Sequence, residues 1–275
     1  MADGGEGTVD VFLAQGAAGH SVSVRGPLGE TVNAVFAMQG ETVILEMAAA
    51  SGLGLISHDR RNPMRTTTYG TGEMIRAALD AGARKLIIGI GGSATNDAGV
   101  GMLRALGVQF FDRQGRELGN EIADYRQLTR IDVTNLDSRL REVSTEVAAD
   151  VDNPLYGPNG AALTFAAQKG ASPPEVEELD RVLHHVGDVS AEILGRDFSG
   201  AAGAGAAGGL GFALIAFLGA RVDRGVRLVA REIGLERHLE VRPYVLPARD
   251  RSTNRPCMEK PSTALPASRK NTTSR

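Results

Sequence analysis

Leu86-Ile87-Ile88-Gly89-Ile90-Gly91-Gly92-Ser93-Ala94-Thr95-Asn96-Asp97-Ala98-Gly99-Val100-Gly101-Met102-Leu103 joins an apolar run to a glycine turn and then to a helical pattern. Leu86–Ile90 has the length and branched side chains of a strand buried on both faces. A helix is expected to open at Asn96 or Asp97. Backbone N–H groups and the positive end of a helix dipole then face the turn, an arrangement suited to an anion. Gly91 and Gly92 have no Cβ to keep an oxyanion from the backbone, and Ser93, Thr95 and Asn96 add side-chain donors. One short polar residue would cap the helix, yet three precede Asp97. A carboxylate beside a phosphate is repulsive unless a cation or a hydroxyl lies between them. The set therefore points to phosphate with a divalent metal, or phosphate with a polyol.

Strands and helices alternate on both sides of this stretch, which predicts the α/β class. Val9–Ala14 starts a helix, and His20–Arg25, Thr31–Ala37 and Thr42–Met47 form a meander. Residues 48–71 read as irregular and polar, Glu73–Ala81 as a helix, and Asp97–Leu106 as the helix after the glycine turn. Val108–Asp112 and Ser144–Ala149 are strands. Glu175–Leu194 is a long amphipathic helix with Val176, Leu179, Val182, Leu183 and Val186 as its apolar stripe. A further helix covers Leu210–Leu218, after a glycine- and alanine-rich segment.

The composition is ordinary for a soluble globular chain: 275 residues, 42% hydrophobic and 23% charged. No run approaches the ~20 apolar residues of a membrane span, and no signal peptide is expected. The single cysteine, Cys257, excludes an internal disulfide framework and a cysteine-based zinc site. A cytoplasmic location follows. Only 4% of residues are aromatic and none is Trp, which argues against base stacking on nucleic acid.

Four other polar clusters could carry chemistry. Asp3-Gly4-Gly5-Glu6-Gly7-Thr8 places two carboxylates on glycine-permitted backbone, where they would hold a metal or substrate hydroxyls. Arg65, ahead of Thr66–Glu73, is a candidate fork for a substrate carboxylate. Asp150-Val151-Asp152-Asn153 follows a buried strand, where open α/β sheets bind ligands. It is trailed by Gly157-Pro158-Asn159-Gly160 and Gln168-Lys169-Gly170. Gly203–Gly211, with Gly208 and Gly209, reads as a second backbone cradle ahead of a helix.

GIGGSATNDAGVGML, MADGGEGT, DVDNPLYGPNGA with QKGA, and GAAGGLG, in this order and spacing, resemble the type I glycerate kinases of bacteria. The resemblance covers residues 1–240. It implies transfer of the γ-phosphoryl group of ATP to D-glycerate with Mg²⁺, 2-phosphoglycerate being the favoured product. It also implies a Rossmann-like lobe and a mixed-sheet lobe, each incomplete here, with the site between them. Small molecules are the expected partners, with neither nucleic acid nor membrane. The absence of GxxxxGK[ST] closes the P-loop route. On this resemblance Asp97, Asp152 and Asn96 are the expected catalytic residues, with Mg²⁺ on Asp97. Asp3, Glu6, Arg65, Gly91, Gly92, Ser93, Thr95, Asn153, Gly208 and Gly209 are expected to bind substrate and phosphate.

Two features depart from the family pattern. The family's first strand, ending in a motif like APDSFKGS, is missing, and so is its late motif TGEGxxDxQTLxGKAxxGVA. Residues 244–275 carry a net charge of +5 against −8 for residues 1–243, and hold four of the eleven prolines. Shifting the frame, so that each codon takes the last base of one residue's codon and the first two of the next, permits TGEGSIDQQTLHGKAVNGVAG across residues 246–270. A single frameshift near residues 239–246 is the expected cause. Residues 1–243 would then form the kinase-like region and 244–275 an out-of-frame, disordered tail. The chain as written is expected to show little or no kinase activity, so an inactive truncated fragment is the first alternative. Asp150-Val151-Asp152-Asn153 also resembles the opening motif of haloacid-dehalogenase-type phosphatases, although Pro154 stands where that class has Thr or Val.

Overall fold

Helices and strands alternate along the computed structural model, which describes residues 5 and 7–235. Helix α1 (Thr8–Ala14) leads into three antiparallel strands, β1 (Ala18–Arg25), β2 (Thr31–Gln39) and β3 (Thr42–Glu46). Helices α2 (Ala48–Ser51) and α3 (Tyr69–Asp80) precede β4 (Lys85–Gly89), and α4 (Val100–Ala105) follows it. Strands β5 (Gln109–Phe111) and β6 (Arg130–Asp132) pair as a separate ribbon. Beyond β7 (Ser144–Ala148) come α5 (Ala161–Phe165), α6 (Pro173–Leu194), α7 (Ala206–Leu218), β8 (Arg221–Asp223) and α8 (Gly225–Glu232).

The main sheet runs β1-β2-β3-β4-β7-β8, with β3, β4, β7 and β8 parallel. The α/β class expected from the alternation is observed as this mixed, mostly parallel sheet. Its two faces follow from the pleat, since alternate residues point to opposite sides. Val43, Leu45, Leu86, Ile88 and Val147 enter the larger core with Met74, Met102, Leu183 and Leu214. Ile44, Ile87 and Ala148 face the other way, against Val9 and Phe12 of α1 and Leu228 and Val229 of α8. Cover on both faces is why β4 reads as an unbroken apolar run.

Several boundaries differ from the sequence reading, each for a local reason. The expected Asp97–Leu106 helix begins only at Val100, because Ala98 (φ +52°) and Gly99 (φ +70°) are left-handed. Helix α3 begins at Tyr69 rather than Glu73, and Gly70 and Gly72 lie inside it as packing glycines. A Cβ on Gly70 would sit 1.9 Å from the Arg25 carbonyl oxygen, and one on Gly72 2.5 Å from that of Met102. Residues 48–71, read as irregular, contain α2 and single 3₁₀ turns at Leu53–Leu55 and His58–Arg60. Helix α6 starts at Pro173, its first turn closed by Glu175 Oε2, which accepts from the Ser172 N–H (2.8 Å).

Candidate active site

Strands β4 and β7 end side by side, with Gly89 opposite Ala148. The chain leaving both lines an open cleft of about 410 Å³. Gly91, Gly92 and Ser93 form one wall, Ala149, Asp150 and Val151 another, and Gln168, Lys169, Ala206 and Ala207 complete it. The carboxyl ends of parallel strands are the usual ligand position in such sheets.

The glycine turn is held from behind. Gly92 takes φ +71°, and its carbonyl accepts from the Leu53 N–H (2.8 Å). The Ala94 N–H donates to the Ser51 carbonyl (3.0 Å), and Thr66 Oγ1 donates to the Ala94 carbonyl (2.9 Å). Thr66 thus ties its segment to the central loop, although none of residues 66–71 lines the cleft.

Asp97 is buried and does not line the cleft. Its Oδ2 accepts from the Thr68 N–H (2.8 Å), Thr68 Oγ1 (2.9 Å) and the Gly101 N–H (3.3 Å), while Oδ1 accepts from the Gly99 N–H (3.1 Å). Burial pushes its pKa up, opposed by the donors from Thr68, Gly99 and Gly101. Three of the four donors crowd Oδ2, and Oδ1 accepts one. In this structure Asp97, expected as a catalytic and Mg²⁺-binding residue, braces the starts of α3 and α4 from behind the cleft. The six-residue α4, opening onto Asp97, likewise replaces the expected helix dipole aimed at a ligand. Thr95 and Asn96 are buried beside it, and Thr95 Oγ1 and both amide atoms of Asn96 have no hydrogen-bond partner among the described residues.

Lys169, only 3% exposed, reaches the turn from the segment after α5. Its Nζ donates to Ser93 Oγ (2.7 Å) and to the Thr95 carbonyl (2.7 Å). Burial lowers its pKa to about 7, with the Asp97 charge acting the other way.

The other expected residues disperse. A Cβ on Gly208 would lie 2.0 Å from the Thr95 carbonyl oxygen, and one on Gly209 2.7 Å from Ala98 Cα. The Ala98 N–H donates to the Gly208 carbonyl (3.0 Å). These two glycines, expected as a second ligand cradle, let one loop stack on another, and neither lines the cleft. Asn153 Nδ2 donates to the Asn159 carbonyl (2.7 Å) and so closes its own loop instead of lining the cleft. Asp152 is exposed and lines a separate pocket with Ala149, Asp223 and Arg224. Arg65 is also exposed and lines a third pocket with Arg60, Arg61 and Asn62, not the cleft as expected. Asp3, Glu6 and the tail beyond residue 235 lie outside the described residues. Among the described residues no group of three or more His, Cys, Asp or Glu side chains could hold a metal ion. None of the described helices is long and apolar enough to cross a membrane.

Asp150, Gln168 and Lys169 line the cleft but were not among the residues expected from the sequence to bind or react. They stand in the polar stretches Asp150–Asn153 and Gln168–Gly170, but nothing local in QKG says that the lysine is buried.

The family model described as the glycerate kinase family matches residues 1–254. A glycerate kinase of Bacillus subtilis (strain 168) is 52% identical over 240 residues, covering 86% of this chain and 63% of that protein. The glycerate 2-kinase of Escherichia coli (strain K12) is 49% identical over 243 residues, covering 87% of this chain and 64% of its own length. A crystal structure from Salmonella typhimurium LT2, assigned as a glycerate kinase 2, superposes with a TM-score of 0.84 at 47% identity. That match covers 87% of this chain and 65% of the other. The chain thus spans under two thirds of the length of these relatives.

Proposed function

Because this chain belongs to the glycerate kinase family, we propose that the cleft beyond β4 and β7 serves the transfer of the γ-phosphoryl group of ATP to D-glycerate. The observation that carries the proposal is the convergence of an open glycine turn, the Ser93 hydroxyl and the buried Lys169 amine on one cleft. Phosphoryl transfer needs positioning and charge neutralisation more than covalent help from the protein. Gly91 and Gly92 let phosphate oxygens approach the backbone, Ser93 and Lys169 donate to them, and Asp97 keeps the loop in place. The E. coli relative is named a glycerate 2-kinase, which favours 2-phosphoglycerate as the product here. Small soluble substrates and a cytoplasmic setting fit the composition.

The donor set in the cleft suits a phosphate-bound Mg²⁺ better than a protein cage. Magnesium commonly takes one or two carboxylates together with substrate phosphates, and Asp150 is the carboxylate lining this cleft. Asp150 would hold the ion, which when bound neutralises charge on the phosphates.

The shifted-frame motif in residues 246–270 leads us to propose that the frame-restored product is the active kinase. The test is ATP-dependent phosphorylation of D-glycerate by the 275-residue chain and by a frame-restored version, with the product identified by NMR. Activity in the restored protein alone supports both proposals. Robust turnover by the chain as written, or a gene whose shifted frame lacks the motif, refutes the frameshift. Inactivity of both proteins, with hydrolysis of a generic phosphate ester without ATP, would favour a phosphatase.

A further inference from the structure

Lys169 sits in a setting that a purely structural lysine does not need. Its Nζ is buried, and no carboxylate among the described residues is in ion-pair contact with it. Desolvation disfavours a charge held without an adjacent counter-charge. The two partners it does have, Ser93 Oγ and the Thr95 carbonyl, are neutral acceptors. A protonated amine carries three N–H groups, so two are engaged and one is left over. The residue also lines the cleft beside Gly91, Gly92 and Ser93. Because Ser93 Oγ accepts from Nζ, its own O–H is directed to a further acceptor. Two donors, one from each side chain, are thereby available to a single anion resting on the turn.

We propose that Lys169 and Ser93 form a phosphoryl-binding pair on the Gly91–Gly92 turn, and that Lys169 becomes charged as the nucleotide arrives, taking one proton from solvent. The proposal deepens the kinase reading and rests on it. No covalent bond changes in this step: the proton leaves buffer or water and ends on Nζ, where the phosphoryl oxygens supply the missing counter-charge. Asp97, behind the loop, is the charged group that acts on Nζ; Asp150 lines the same cleft, and the Arg61 backbone packs on Gly170. Asp97 favours the ammonium in both the free and the bound protein. The phosphates are what differ between the two states. The short turn around Lys169 is held firmly, since a Cβ on Gly170 would sit 2.3 Å from the Arg61 carbonyl oxygen.

The test is isothermal titration calorimetry of the 275-residue chain with ATP and excess Mg²⁺, without glycerate. It is run at pH 8, where the triphosphate does not itself titrate, in two buffers of different ionisation enthalpy. The expected result is uptake approaching one proton per nucleotide bound. Lys169→Met should abolish the uptake and weaken binding at least tenfold. Lys169→Arg keeps a permanent charge, so it should bind nucleotide with no uptake, and it guards against misfolding of the Met variant. Nucleotide binding without proton uptake in the unmodified chain, or uptake that survives in Lys169→Arg, overturns the proposal and leaves the kinase reading standing. Absence of nucleotide binding in all three proteins overturns this proposal, and the kinase reading falls with it if the frame-restored protein also fails to bind ATP.

Discussion

Replacing Asp97 by Asn separates a brace from a catalytic group. The carboxylate accepts from four donors, three on Oδ2 and one on Oδ1. An amide of the same shape has one oxygen. The least damaging rotamer puts that oxygen where Thr68 and Gly101 donate, and turns the NH₂ toward the Gly99 N–H. One buried backbone donor is then left facing another donor, at a cost of about 1–3 kcal/mol. The three surviving bonds lose their charge assistance, roughly halving their strength. Relief of the desolvated charge offsets part of this, because burial already pushes the Asp97 pKa up. The net expectation is about 3 kcal/mol, or a fall of about 6–12 °C in Tm for a chain of this size. Urea denaturation followed by circular dichroism, with ATP affinity measured in parallel, reads both quantities. Under a bracing role, the folded fraction of Asp97→Asn binds ATP close to normally. A loss of stability below about 1 kcal/mol combined with abolished binding or turnover would refute the reasoning and return Asp97 to the chemistry.

Three further outcomes are expected. Gly208→Ala drives a Cβ to 2.0 Å from the Thr95 carbonyl at a residue with φ +68°, and should cost at least about 3 kcal/mol in denaturant titration; near-normal stability would mean the loops do not stack as described. Lys169 is about 7 in the folded protein against 10.5 for an ordinary lysine, so between those values the unfolded chain binds more protons and stability rises with pH. The slope should approach 1.4 kcal/mol per pH unit from this group, and a pH 7–9 stability series in which Lys169→Met shows the same slope as the parent would contradict it. Arg65→Ala, at an exposed position outside the cleft, should leave ATP affinity within about twofold and stability within about 0.5 kcal/mol, whereas a large rise in KM for glycerate would place the substrate carboxylate in the three-arginine pocket.

What the sequence made legible was periodicity. The Leu86–Ile90 run marks a strand covered on both faces, the α6 stripe from Leu179 to Val186 is buried, and the β1–β3 meander lies within a few residues of its expected bounds. Short elements escaped notice because three residues cannot show a period, as in β6 and β8. The central loop was recognised as special for its polar residues, yet their roles divided in a way that spacing cannot reveal. Ser93 faces the cleft while Asp97, four positions on, turns inward to two helix starts. The Arg65 fork suits a carboxylate, but that chemistry alone does not say that the residue lies with Arg60 and Arg61 outside the cleft. Lys169 is the converse case, since a lysine is expected in solvent and only the third dimension shows this one enclosed.

The same loop concentrates features that folding alone would not favour. Ala98 and Ala207 are the two non-glycine residues with positive φ among the described residues, each at a cost of about 1–3 kcal/mol. They adjoin the one contact where Ala98 donates to Gly208. Beside them lie the unpartnered atoms of Thr95 and Asn96, whose burial adds to the cost. Strain of this kind persists only where the surroundings over-determine the backbone, and here Asp97 clamps one side while the stacked glycines close the other. On the proposed reading, a loop held this firmly presents the Gly91–Ser93 turn already shaped, which lowers the ordering cost of binding a phosphoryl group. The glycines and alanines of GAGAAGGLG are therefore the residues that let this preorganisation exist, through the absence of side chains.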